Sequence, residues 1–162
     1  MIARLEALYA QFVKVANYLQ SPLLLLIRVD WGYQFYEAGS GKLADIPTTI
    51  ENFTKMGVPL PAFNAHFIGW LETVGGILLI LGLASRLIAV PLVINMITAF
   101  VIADSEALKS IFSEPDKFFN AAPHTFLIAS LVVLIFGPGK LSLDTLIAAW
   151  WKKRRPQTSA AT

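Results

Sequence analysis

Four long stretches of this chain are almost entirely apolar, and this feature restricts the possible folds more than any other. A helix needs about 20 largely apolar residues, with a range of about 17–25, to cross the hydrocarbon core of a bilayer. Four stretches meet this requirement: residues 21–38, 65–84, 87–104 and 121–137. Only 15% of the residues are charged, whereas a soluble domain is about 25% charged. The sequence therefore predicts an all-α integral membrane protein, a bundle of four transmembrane helices.

The segments outside these stretches predict shorter helices at the membrane surface. Residues 1–20 carry an apolar stripe at helical spacing and either lie on the interface or extend the first span; we favour an amphipathic interfacial helix. Between the first two spans, a helix is expected from Pro47 to Met56, ended by Gly57. After the membrane domain (residues 21–138), residues 139–155 predict a basic amphipathic helix with Ser142 as its N-cap. Residues 156–162 are expected to be disordered.

Lysine and arginine are unequally divided between the two sides of such a bundle. Eight lie on one side and four on the other, so both termini are expected in the cytoplasm. Half of the eight form one block beside Trp150 and Trp151: Lys152, Lys153, Arg154 and Arg155. This block is expected to bind anionic lipid head groups. A nucleic-acid partner is not expected, because it would require a basic face on a folded domain.

Two of the charged residues in the apolar stretches lie near the middle of their spans, and charges at that depth usually face the bundle interior. Arg28 in the first span and Glu72 in the second are expected to form a buried pair, since each is placed within about one turn of the membrane midplane. The pair either fixes the register of two helices or provides a polar anchor for a ligand or a proton path. In a further alternative, the two side chains reach separately to opposite interfaces.

Other residues of the spans suggest helix packing. Small residues on the second span permit close approach of a neighbouring helix: Gly69, Thr73, Gly75, Gly76 and Gly82. Asn95 in the third span also requires a partner, for which a hydrogen bond between helices is the favoured interpretation.

Aromatic residues near the outer half of the first two spans suggest a ligand pocket. Flat rings beside one or two polar groups suit a quinone, although an aromatic belt facing the lipid is the alternative. The expected pocket consists of Arg28, Trp31, Tyr33, His66, Trp70 and Glu72.

A polar cluster is expected near the outer interface, formed by Glu37, His66, Asp104 and His124. Imidazole and carboxylate groups can ligate metals, but interfacial anchoring is favoured, and no metal site is predicted at His66 and His124. The chain contains no cysteine, which excludes Cys-ligated metals and iron–sulfur clusters.

Four pieces of the sequence, in this order, resemble the DoxX family of small bacterial membrane proteins. The first contains Arg28 and a Gly-x-x-Lys-Leu signature, the second ends in Gly-hydrophobic-Pro, the third is rich in glycine and the fourth begins Gly-Pro-Gly. They lie at residues 28–43, 53–59, 69–86 and 137–144. The resemblance implies a four-span bundle in the bacterial inner membrane. Family members have been linked to quinone-coupled sulfur oxidation and to oxidative-stress complexes.

The sequence therefore predicts a membrane component of a redox system, with other subunits or further copies of the chain as partners. It does not identify a cofactor, and a quinone is the candidate. One alternative is a non-catalytic membrane anchor or assembly subunit of a larger complex. The other is a small-solute transporter acting as an oligomer. Whether the chain itself catalyses a reaction is left open.

Overall fold

A computed structural model of the chain describes residues 2–154, and within this range it contains eight helices and no strand. The helices are α1 (Ile2–Ala44), α2 (Ile46–Lys55), α3 (Pro61–Leu81), α4 (Ser85–Ile102), α5 (Ser105–Lys109), α6 (Pro115–Asn120), α7 (Ala122–Phe136) and α8 (Leu143–Arg154). The predicted all-α class is confirmed. The predicted disorder of residues 156–162 concerns residues outside the described range, as does Arg155 of the basic block.

Among the described residues, three helices are long and apolar enough to cross a membrane: α1, α3 and α4. The helix at the fourth predicted span, α7, is also apolar but has only 15 residues. At a rise of about 1.5 Å per residue it is about 22 Å long, which is less than the hydrocarbon core of about 30 Å. The structure thus supports an apolar helical protein with three candidate spans, and the predicted count of four is not confirmed.

The favoured prediction for residues 1–20, a separate interfacial helix, is wrong. The described part of this segment and the first predicted span form one continuous helix, α1, of 43 residues, with Pro22 inside it. Proline removes one hydrogen bond from a helix interior, but the helical pattern of apolar residues continues on both sides of position 22. The helix also runs through Gly39 and Gly41, beyond residue 38, where the first predicted span ends.

Helices α1 and α3 are antiparallel and make unusually close contact through glycine. A Cβ atom added at Gly39 would lie 2.7 Å from the carbonyl oxygen of Gly69. One added at Gly76 would lie 2.5 Å from the backbone nitrogen of Tyr36. The obstructing atoms belong to the backbone, so the two helices could not approach this closely if either glycine carried a side chain. This confirms the predicted packing role of Gly69 and Gly76.

Helix α8 is tied to the turn between α3 and α4 by a group of polar contacts. The backbone N–H groups of Ala84 and Ser85 donate to the Asp144 carboxylate at 2.7 Å and 3.0 Å. The Asp144 N–H donates to the carbonyl of Gly82 at 3.0 Å. Asp144 thus satisfies N–H groups at the start of α4 that have no partner within the helix.

Arg28 of α1 completes this group by donating from Nη2 to the carbonyl of Leu141. We call Arg28, Gly82, Leu141 and Asp144 the clasp. Gly82 has a left-handed backbone (φ +66), and a Cβ atom there would lie 2.9 Å from Cζ of Arg28. Glycine is therefore required at position 82 both by its backbone conformation and by the space that Arg28 occupies.

The ends of the short helices agree well with the sequence pattern. Asp45 caps α2 by accepting from the N–H of Thr48 at 3.1 Å. Hydrogen bonding by the Thr48 side chain, and after it by this N–H, lowers the pKa of the Asp45 carboxyl. Gly57, with φ +73, follows α2 as predicted. Ser142 accepts from the N–H of Thr145 at 3.2 Å, which confirms it as the N-cap of α8.

Two matched glycine substitutions test the contact between α1 and α3. Gly76→Ala should reduce the free energy of unfolding by about 1–3 kcal/mol, because the added methyl group overlaps the α1 backbone. Gly41→Ala should leave it unchanged or raise it by up to about 1 kcal/mol, because Gly41 is helical and nothing lies within 4 Å of an added Cβ. Unfolding in mixed micelles with increasing dodecyl sulfate measures both. Equal effects of the two substitutions would contradict the close packing.

Candidate functional site

A buried carboxylate is shared between three helices in the membrane-spanning part of the chain. Glu72 of α3 is only 4% exposed. Its Oε2 atom lies 2.5 Å from Nζ of Lys42 on α1, and its Oε1 atom accepts from Nδ2 of Asn95 on α4 at 3.0 Å. We call Lys42, Glu72 and Asn95 the polar triad. Burial of a carboxylate is costly unless the charge is paired and hydrogen-bonded, and these two partners meet that requirement.

The predicted pair between Arg28 and Glu72 is wrong, although both residues are buried as expected. Arg28 lies in the clasp, beside Gly82. Gly82 is ten residues along α3 from Glu72, which corresponds to about 15 Å of helix. The separation of Arg28 from Glu72 follows from the register of α1 against α3, which the glycine contacts set. The same register brings the Lys42 side chain within reach of Glu72.

Lys42 is the functional residue that the sequence analysis missed. It lies beyond residue 38, where the first predicted span ends, so the sequence does not indicate it as a partner of Glu72. A signal was present: if Gly32 and Gly39 are aligned against Gly76 and Gly69 of an antiparallel helix, Lys42 lies opposite residue 66. That position is six residues, or about 9 Å of helix, from Glu72, a distance that the long lysine side chain can bridge. The predicted helix–helix hydrogen bond of Asn95 is confirmed.

A cavity of about 370 Å³ lies beside the polar triad, and all three triad residues line it. Its remaining walls are largely apolar and come from α1, α2, α3, α4, α7 and the segment joining α2 to α3. The inner wall includes Phe35, Ala38, Ile68, Met96, Ala99 and Phe126. The rim includes Phe53, Met56, Val58, Pro59, Ile102, Ala103, Ala122 and Pro123. The volume is within the range of about 300–1,000 Å³ typical of small-molecule sites.

The cavity lies at the end of the bundle opposite the clasp. It extends along α4 from Asn95 to Ile102, seven residues or about 10 Å. The rim lies where α1 and α4 end and where α3 and α7 begin, so these four helix ends meet around the cavity. The polar triad therefore stands at the inner end of an apolar cavity about two helical turns deep.

The polar triad can offer hydrogen bonds to a molecule in this cavity. An ammonium group has three N–H donors. Within the described residues, Lys42 donates to Glu72 at 2.5 Å and more weakly to the carbonyl of Ala38 at 3.4 Å. The Lys42 side chain remains 28% exposed. One N–H of Lys42 can thus be donated to a carbonyl or other acceptor oxygen of a ligand.

The pocket expected from the sequence is not the one that forms. Of its six residues, all within the described range, only Glu72 lines the 370 Å³ cavity. Tyr33 and Trp70 are exposed on the outside of their helices, as the alternative of a lipid-facing aromatic belt requires. The rotation of α1 turns Phe35 into the core instead, where it packs edge-on against Phe126.

Trp31 and His66, two further residues of the expected pocket, lie at separate places. Trp31 lines a smaller cavity of about 160 Å³ between α1 and α7, together with His124. His66 is exposed, and its Nδ1 atom lies 2.9 Å from the carbonyl oxygen of Ala62 on its own helix. Neither residue reaches the polar triad cavity.

The outer-face cluster expected from Glu37, His66, Asp104 and His124 is not brought together as a metal-binding group. Within residues 2–154, no group of three or more histidine, aspartate or glutamate side chains could hold a metal ion. His124 instead packs edge-on against Phe118 and Phe119, with ring centroids 5.1 Å and 5.2 Å away. Glu37 is exposed on α1.

Comparison with known proteins agrees with this architecture. The family model named DoxX matches residues 23–105, a range that contains all three residues of the polar triad. The chain belongs to the DoxX family. No solved structure matches it.

Two curated proteins are similar to this DoxX protein over most of their length. "Putative oxidoreductase CatD" of Bacillus subtilis (strain 168) is 31% identical over 123 residues, which cover 76% of this chain and 85% of that protein. "Uncharacterized membrane protein Rv3486" of Mycobacterium tuberculosis (strain ATCC 25618 / H37Rv) is 33% identical over 131 residues, covering 76% and 80% of the two chains. Together with the family match, the second of these supports membrane localisation.

A double-mutant cycle tests the polar triad. Lys42→Met leaves the buried Glu72 carboxylate without its cation and should cost about 3–5 kcal/mol of unfolding free energy. Glu72→Gln should cost less, because Lys42 is partly exposed and glutamine retains a hydrogen-bonding group. The double variant should be destabilised by less than the sum of the two, as measured by unfolding in mixed micelles.

The matched control is the cycle between Arg28→Met and Glu72→Gln. Its effects should be additive, because Arg28 belongs to the clasp at the other end of the bundle. Coupling in the Arg28 cycle together with additivity in the Lys42 cycle would overturn the assignment of partners.

Proposed function

We propose that this DoxX protein is the four-span membrane component of a redox system and that the cavity beside the polar triad binds the head group of a quinone. The observation that carries the proposal is an apolar cavity of about 370 Å³ that ends on a buried, hydrogen-bonded charge pair. Family membership and the oxidoreductase name of one relative give it further support.

A quinone head group is a flat ring with carbonyl oxygens on opposite sides. Phe35, Phe126 and Met96 offer flat aromatic and thioether surfaces to such a ring, and sulfur makes favourable contacts with aromatic systems. The Lys42 ammonium would donate a hydrogen bond to one carbonyl oxygen. Reduction of a quinone takes up two electrons and two protons, so the electrons would have to come from a partner protein of the redox system.

Helix α7 is the fourth span in this proposal. It is apolar throughout, packs against α4 and contributes Phe126 to the cavity wall. A span shorter than the hydrocarbon core is accommodated by local thinning of the bilayer at modest cost. Lys42 belongs to the polar triad, so eight basic residues lie on one side of the four spans against three on the other, and both termini would lie on the cytoplasmic side of a bacterial inner membrane.

The absence of cysteine from the sequence allows a direct test of this topology. A cysteine introduced by Ser113→Cys, between α5 and α6, should react with a membrane-impermeant thiol reagent in intact cells. A cysteine introduced by Lys152→Cys, on α8, should react only after the cells are lysed. Labelling of both positions in intact cells would contradict an even number of spans, and the reverse pattern would invert the orientation.

A pair of phenylalanine substitutions on α4 tests ligand binding. Ala99 lines the cavity, and Val101 points outward on the same helix with 56% of its side chain exposed. Ala99→Phe should weaken the binding of menadione and of a short-chain ubiquinone by tenfold or more, because the added ring fills the space for the ligand. Val101→Phe should leave the affinity unchanged.

Binding would be measured by titration of the purified protein in nanodiscs. Saturable binding that depends on Ala99 but not on Val101 supports the proposal. If neither quinone binds saturably to the unmodified protein, the proposal fails and the chain is better described as a non-catalytic membrane anchor. Equal weakening by both variants would also contradict this location of the site.

A further inference from the structure

Helix α8 presents large apolar side chains that are exposed within the part of the chain that the structure describes. Within its described residues, 143–154, none is buried. Leu146, Ile147, Trp150 and Trp151 are each between 45% and 63% exposed. Exposed tryptophans beside exposed aliphatic side chains are typical of the boundary between lipid head groups and acyl chains.

The clasp determines where α8 begins. Asp144, in the first turn of α8, binds the backbone at the start of α4, and Leu141 accepts from Arg28. Because α3 and α4 are apolar spans, the turn between them marks a membrane surface. Helix α8 therefore starts at that surface and is fixed there by hydrogen bonds to the bundle.

The charges of α8 are segregated along its length. Its last turn carries Lys152, Lys153 and Arg154, whereas its acidic residue, Asp144, lies in the first turn and is engaged in the clasp. The guanidinium of Arg154 stacks on the ring of Trp150, with Cζ 3.9 Å from the ring centroid. Tryptophan is favoured at membrane interfaces, and cations beside it attract anionic head groups.

We propose that α8 is a docking surface for anionic phospholipids of the leaflet on the clasp side. Its apolar residues and tryptophans would lie at the head-group boundary, while Lys152, Lys153 and Arg154 would contact phosphate groups. Uncharged phospholipid would satisfy the apolar face but not the cations, so charge complementarity favours an anionic lipid. The proposal is independent of any ligand in the cavity.

The test measures lipid selectivity of the full chain reconstituted in phosphatidylcholine bilayers. Electron paramagnetic resonance of spin-labelled phosphatidylglycerol and phosphatidylcholine gives the relative association of each lipid with the protein. The unmodified protein should prefer phosphatidylglycerol, and 0.5 M sodium chloride should reduce this preference because the attraction is electrostatic. Neutralising Lys152, Lys153 and Arg154 by substitution with glutamine should reduce it by up to about fivefold for each charge removed.

The matched control neutralises three lysines near the opposite end of the bundle, Lys55→Gln, Lys109→Gln and Lys117→Gln. This variant should retain the preference for phosphatidylglycerol. The proposal is overturned if the unmodified protein shows no preference, if salt has no effect, or if both triple variants lose the preference equally. A different outcome would indicate a protein partner. In that outcome the unmodified protein binds a soluble acidic polypeptide but shows no preference for phosphatidylglycerol, and only the α8 variant loses the binding of the polypeptide.

Discussion

The close contact between α1 and α3 is the constraint on which the other features of this protein depend. Gly39 and Gly76 allow the two backbones to touch, and only a narrow range of registers keeps both contacts. Within a bilayer, apolar side chains gain little by leaving lipid for a neighbouring helix, so helix packing relies on such close approach. The register that results decides which charged side chains of α1 meet which groups of α3.

This register gives two cations of α1, Arg28 and Lys42, different roles. Lys42 is brought to Glu72 and takes part in a cavity wall, whereas Arg28 is brought to Gly82 and holds the segment that leads into α8. Arg28 is fully buried, and its contacts are with backbone groups and the charge of Asp144. It is therefore a structural cation, and Lys42 is the cation available to a ligand.

The sequence predicted those features that depend on local pattern. The helical class, the positions of α2 and α8, the Ser142 cap and the packing glycines follow from spacing and residue type, which act over a few residues. The burial of Glu72 and the need of Asn95 for a partner follow from the high cost of polar groups in an apolar environment.

The features that were missed depend on how helices are placed relative to one another. The periodicity of apolar residues does not fix how α1 is rotated about its own axis. In the structure this rotation turns Phe35 rather than Tyr33 toward the core. Nor does periodicity fix register, so Glu72 was assigned the wrong partner. The cavity combines side chains from five helices and a loop, and no single stretch of sequence contains its pattern.

These observations lead to one central claim: the polar triad is the part of the cavity that recognises a ligand. Nitrogen-15 NMR of the lysine side chains in nanodiscs tests it most directly, with the Nζ signal of Lys42 assigned by its loss in Lys42→Arg. Addition of menadione should shift the Lys42 signal and leave the signals of Lys55 and Lys117, which lie outside the cavity, unchanged. Saturable menadione binding without a shift at Lys42, or with equal shifts at all three lysines, would contradict the claim.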